Sequence, residues 1–144
     1  MKSGMISFGI MERVIFGETT AVAIAKEAER IGAKRVFLLV GGTLNRETDE
    51  VKKIISALGP RFCGLHDNMP AHSPRDAVIE CANAARESKT DLLVTFGGGS
   101  VTDGGKAVTI CLEHGITDIN GLEPYRTTVD ETGKRHFPEF SAPT

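Results

Sequence analysis

This chain of 144 residues is short of positive charge, long apolar runs, cysteine and paired histidine. Its formal net charge is −2, so nothing in the balance argues for nucleic acid. No polybasic run argues for an anionic membrane. No apolar run approaches the roughly 20 residues that cross a bilayer. Residues 1–5 lack the apolar core of a signal peptide, so the cytoplasm is the expected location. The three cysteines, Cys63, Cys81 and Cys111, are far apart and odd in number. Buried thiols are expected rather than a disulfide framework. The histidines, His66, His72, His114 and His136, include no pair at metal-ligand spacing, and no metal site is expected in this chain. There is no internal repeat and no low-complexity segment.

What remains is an ordinary globular composition, 40% hydrophobic, in a length that suits one domain with a real core. Strand-like and helix-like patterns alternate about four times. Residues 6–16 read as one or two strands, with residues 12–16 the better half. Thr19 or Thr20 caps a helix reaching Ile31, with Val22, Ala25, Ala28 and Ile31 inward and Gly32 as its stop. Residues 35–40 form a continuous apolar run, the mark of a strand buried on both faces. The turn Gly41-Gly42-Thr43-Leu44 leads to a helix over residues 46–58. A weaker strand covers 61–65. After the loop 67–72, Ser73 caps a helix with Pro74 at its first position and Asp76 three residues past the cap. That helix turns Val78, Cys81, Ala82 and Ala85 inward. A strand at 92–96 is followed by a helix carrying Val101, Val108, Cys111 and Leu112 on one side and ending at Gly115. The pattern fades beyond Asn120, and residues 120–140 read as an irregular loop or hairpin with its tip at 130–134. The expected fold is α/β, a Rossmann-like, open, mostly parallel sheet with helices on both faces.

The segment Phe96-Gly97-Gly98-Gly99-Ser100-Val101-Thr102-Asp103-Gly104-Gly105-Lys106 carries the chemistry. A strand that turns through bare glycines into a helix presents open backbone N–H groups at the helix N-terminus, which suits a phosphate. A Walker A loop does not fit: Ser100 stands where its first glycine belongs, and Ala107 replaces its hydroxyl residue. The pattern G-x-G-x-x-G fails at Thr102. The plainer reading is a tight turn, with Ser100 and Asp103 as a capping box. Yet three consecutive glycines cost up to roughly 1 kcal/mol each in backbone entropy, and a turn needs one or two. Close approach of a ligand accounts for the surplus.

Gly97-Gly98-Gly99-Ser100, two residues, Asp103, two residues and Lys106 resemble the GGGSxxDxxK motif of iron-containing (group III) alcohol dehydrogenases. Their superfamily includes glycerol dehydrogenases, maleylacetate reductases and dehydroquinate synthases. Phe16-Gly17, residues 32–36 and Pro70 fall in matching order, so the resemblance spans nearly the whole chain. It implies that residues 1–144 are the family's dinucleotide-binding domain, binding NADP or NAD. Gly97, Gly98, Gly99 and Ser100 would contact the diphosphate. Asp103 would face a ribose hydroxyl, a backbone N–H or solvent, and Lys106 would add positive charge or be solvated. Family members preferring NAD often carry Asp where Gly41 stands. Its absence leaves room at Gly41 and Gly42, and Thr43, Asn45 and Arg46 would then bind a 2′-phosphate. NADP or relaxed choice is expected, with Pro70 also near the cofactor. His72, before a proline-started helix, resembles maleylacetate reductases, but those often lack the aspartate kept here as Asp103. His72 reads as a loop or capping residue.

The resemblance implies a longer parent that interconverts a small alcohol with an aldehyde or ketone by hydride transfer. Its C-terminal helical domain, absent here, would hold Fe²⁺ or Zn²⁺ to polarise the substrate oxygen. This chain alone is expected to be inactive, with no catalytic residue and a tendency to self-associate as a homo-oligomer. Two other readings remain open: a stand-alone nucleotide-binding module, and the domain of a dehydroquinate synthase-type lyase.

Overall fold

The computed structural model describes residues 12–136. Three parallel strands form its sheet in the order β2-β1-β3. They are β1 (Val36–Val40), β2 (Phe62–His66) and β3 (Leu92–Phe96). Every residue of β1 is buried, because it is the central strand and helices cover both of its faces. On one face Val36, Leu38 and Val40 pack with Ala28 of α1 (Thr20–Arg30) and with Val51, Ile54 and Leu58 of α3 (Glu50–Leu58). On the other, Phe37 and Leu39 pack with Val78, Cys81, Ala82 and Ala85 of α4 (Arg75–Glu87) and with Val101, Val108 and Cys111 of α5 (Gly99–Glu113). The fold is therefore α/β, with a parallel sheet flanked by helices on both faces.

Three devices fix this arrangement. Gly64 lies against Phe37, where a Cβ would stand 2.6 Å from the ring, so β2 follows β1 without a side chain in the way. Asp91, just before β3, accepts from the backbone N–H groups of Lys34 and Arg35 at 2.8 Å each. Those two bonds hold its carboxyl below the usual carboxylate range and tie the start of β1 to the start of β3. Gly105 of α5 faces Thr95 of β3 so closely that a Cβ would stand 2.3 Å from Thr95 Cγ2. The cysteines are free; Cys81 and Cys111 are buried. Burial pushes the Cys81 thiol up to about 12, so it is no thiolate nucleophile.

Several expectations are corrected. Residues 12–16 form no strand: they are irregular and exposed, and residues 6–11 lie outside the described residues. The buried flank of α1 runs through Ala21, Ile24 and Ala28, while Val22 and Ile31 face solvent. The helix expected over 46–58 is two, α2 (Gly42–Glu47) and α3, because Thr48 is extended. Its hydroxyl donates to the Leu44 carbonyl at 2.6 Å and accepts the Glu50 N–H at 3.4 Å, a local alternative to the helical ladder. Ser73 does not cap α4. Pro74 takes the cap position, and the Ser73 hydroxyl bonds elsewhere. Ser100 and Asp103 form no capping box either: the cap residue of α5 is Gly98, and Asp103 pairs with Lys106. Beyond α5, a 3-10 segment (Ile119–Tyr125) leads to a two-stranded antiparallel hairpin of β4 (Thr128–Val129) and β5 (Arg135–His136).

Candidate dinucleotide site at the strand ends

In the order β2-β1-β3, the chain leaves β1 toward one side and later returns to its other side. The switch point lies between the C-terminal ends of β1 and β3, where open α/β sheets bind ligands. Both glycine turns of the sequence meet there. Gly41 N–H donates to the Phe96 carbonyl at 2.9 Å. A Cβ on Gly97 would stand 3.2 Å from Gly41 N and 2.9 Å from Val101 Cγ2. The helices α2 and α5 both begin at this edge, their first N–H groups free of intrahelical partners.

The glycines of the motif divide into two groups. Gly97, Gly104 and Gly105 are demanded by packing: Gly104 has Met69 about where a Cβ would press, at 3.0 Å, and Gly105 has Thr95. Gly98 and Gly99 have nothing within 4 Å of a Cβ and no positive φ. Neither the protein's own packing nor its backbone conformation requires glycine at these two positions. They are exposed and open the N-terminus of a 15-residue helix, so they form a bare surface of peptide groups with the positive end of the helix dipole behind it.

The remaining expected residues fall in three places. Gly42 is the first residue of α2; a Cβ there would meet Arg46 Nη1 at 2.6 Å and the Asp67 carbonyl at 2.9 Å. The Arg46 guanidinium therefore lies along Gly42, exposed and with no ion-pair partner among the described residues. Asn45 is occupied: its Nδ2 donates to Asp67 Oδ2 at 2.7 Å, joining α2 to the end of β2. Thr43 is exposed on the first turn of α2. Asp103 and Lys106 form an ion pair at 3.0 Å on the solvent side of α5, about 70% exposed each, so the lysine's charge is already balanced there. Pro70 sits in the loop between β2 and α4, its carbonyl accepting Ser73 N–H at 3.1 Å.

Sequence reasoning missed that loop's grip on the glycine turn. His72 N–H donates to Ser100 Oγ at 3.2 Å, and Ser73 Oγ donates to the Ser100 carbonyl at 2.6 Å. Both loop residues hold positive φ, 65° and 47°, at roughly 1–2 kcal/mol each for a residue with a side chain. Asp67 was missed too; its signal was its place just past the second strand. A hollow of about 330 Å³ between α1 and β3, lined by Arg13, Ile15, Ile24, Leu92 and Val94 among others, includes no residue of either glycine turn. Among the described residues no group of three His, Cys, Asp or Glu side chains is placed to hold a metal ion.

Comparison with known proteins shows the family. The model of the family "Iron-containing alcohol dehydrogenase" matches residues 11–144. Maleylacetate reductase 2 of Cupriavidus pinatubonensis is 36% identical over 104 residues, 72% of this chain and 28% of that protein. NADP-dependent alcohol dehydrogenase 3 of Entamoeba histolytica is 27% identical over 115 residues, 78% of this chain and 28% of that protein. The crystal structure of maleylacetate reductase from a Rhizobium species superposes with a TM-score of 0.64 at 26% identity, over 74% of this chain and 30% of that one. The chain thus spans less than a third of the length of these relatives. With the sheet, the switch-point glycine turns and a match over residues 11–144 in agreement, the chain belongs to the iron-containing alcohol dehydrogenase family.

Proposed function

We propose that this chain is the dinucleotide-binding part of a longer oxidoreductase, and that its glycine turn holds the diphosphate of a nicotinamide cofactor. The observation that carries this reading is the openness of Gly98 and Gly99, glycines that the fold itself does not need. The free N–H groups of the α5 N-terminus and the Ser100 hydroxyl would hold the phosphate oxygens. The bound nicotinamide would supply or accept the hydride. The role of this chain's own residues is to fix where the ring lies. The reaction in this reading interconverts a small alcohol with an aldehyde or ketone, and relatives named as maleylacetate reductases support the reductive direction. A metal, where the reaction uses one, would polarise the substrate oxygen and be held by residues outside the described set.

NADP is the preferred cofactor in this reading. No carboxylate side chain stands at Gly41 to repel a 2′-phosphate, and Arg46, without an ion-pair partner among the described residues, lies along the neighbouring Gly42. The Entamoeba relative is named as NADP-dependent, which fits. Asn45 is left out of the phosphate contacts because Asp67 holds it. Titrating the full-length protein with NADPH and NADH in parallel tests the choice. Tighter binding of NADPH is expected; a clear preference for NADH overturns it.

A further inference from the structure

We infer that Ser73 is a positioning residue that keeps the Ser100 hydroxyl hydrogen free for an incoming phosphate oxygen. This rests on the glycine turn being the diphosphate site. A serine hydroxyl has one hydrogen to give and two lone pairs to accept with. On a helix, serine and threonine habitually turn that hydrogen back onto the carbonyl four residues earlier. α5 shows the habit twice: Thr102 donates to the Gly98 carbonyl at 3.3 Å and Thr109 to the Gly105 carbonyl at 3.0 Å. Ser100 does not follow it. Four residues earlier lies Phe96, in β3 and not in the helix, and its carbonyl accepts Gly41 N–H at 2.9 Å, so Ser100 has no helical carbonyl to turn back to. From the other side, His72 N–H donates to Ser100 Oγ at 3.2 Å. The hydroxyl therefore accepts from the loop, and no acceptor for its own hydrogen stands among the described residues.

The loop can do this only while it stays in place. His72 and Ser73 are consecutive left-handed residues, a conformation neither favours, and the Ser73 hydroxyl pins it by donating to the Ser100 carbonyl at 2.6 Å. Remove that hydroxyl and the loop relaxes, His72 N–H withdraws, and the Ser100 hydroxyl loses the donor that orients it and is left to rotate. The expected loss falls on ligands that carry a diphosphate.

The test is Ser73→Gly in the full-length protein. Glycine tolerates φ 47° and also opens many other conformations to the loop, so the variant removes the pinning hydroxyl and frees the loop without straining the fold. Affinities for NADPH and for adenosine 2′-monophosphate, which lacks the diphosphate, are measured with the melting temperature. Ser73→Gly is expected to weaken NADPH about tenfold while leaving the monophosphate within about twofold and the melting temperature unchanged. Ser100→Ala alone should weaken NADPH by a similar factor, and Ser73→Gly should then add little, because both act through one hydroxyl. If Ser73→Gly binds NADPH as the wild type does, or weakens both ligands equally, the inference is overturned. If the wild-type protein binds no NADPH or NADH at all, the diphosphate reading itself fails, and that result needs no variant.

Discussion

Gly105 and Gly99 sit in the same helix and answer to different demands. A Cβ on Gly105 would drive into Thr95, whereas one on Gly99 meets open space. Gly105→Ala should therefore destabilise the fold by about 1–3 kcal/mol through overpacking, read as a lower denaturation midpoint. A midpoint equal to wild type would mean that α5 does not approach β3 so closely. Arg46 allows a different kind of test. Its guanidinium lies along Gly42 with no ion-pair partner among the described residues, so Arg46→Ala should weaken NADPH by about tenfold and leave NADH nearly unchanged. Equal loss for both cofactors would place Arg46 away from the 2′-phosphate. The glycine string was legible in the sequence because glycine surplus is visible without a fold. The pairing of Asn45 was not: its partner Asp67 is 22 residues away, and only the alignment of α2 with the end of β2 brings them together.

At the scale of elements, the sequence is read most reliably where burial dictates composition. The run that becomes β1 is apolar at every position because helices cover both faces, and β3 falls on residues 92–96 as expected. Reading failed where a single side chain overrides the periodicity. Thr48 splits the apolar pattern of residues 46–58 into two helices by bonding its own backbone, and Ser73 leaves its helix cap for a carbonyl in another helix. Neither choice shows in a hydrophobic period. The junction of β1 and β3 makes a pH prediction. Asp91 is held below its ordinary 3.8 by the N–H groups of Lys34 and Arg35. Its contribution is thus complete above about pH 3.8 and is lost as pH falls below that through the lower folded value. Asp91→Asn should lower stability by about 1 kcal/mol at neutral pH, since the site is exposed, and should blunt the loss of stability in acid. Parallel acid-unfolding curves of variant and wild type, offset but of identical shape, would contradict this.

At the scale of the whole molecule, three parallel strands bring two glycine turns to one edge of the sheet. The described residues present two bare glycines at the start of α5, which the proposed function assigns to a dinucleotide, and no group of three His, Cys, Asp or Glu placed for a metal. On the proposed function, hydride transfer also draws on residues outside this set, so binding and turnover are measured separately. The central claim is that Gly98 and Gly99 are bare for the sake of a ligand. The measurement that tests it most directly is calorimetric titration of NADPH into the full-length protein and its Gly98→Ala/Gly99→Ala variant, with melting curves of both. The added methyls meet nothing in the fold, and the chain entropy gained at Gly99 is offset by alanine's poorer capping at Gly98, so the variant should melt close to the wild-type temperature. Its affinity should fall at least about tenfold as the methyls hold the diphosphate off the backbone. Undiminished binding by a variant that folds as well as the wild type would contradict the account.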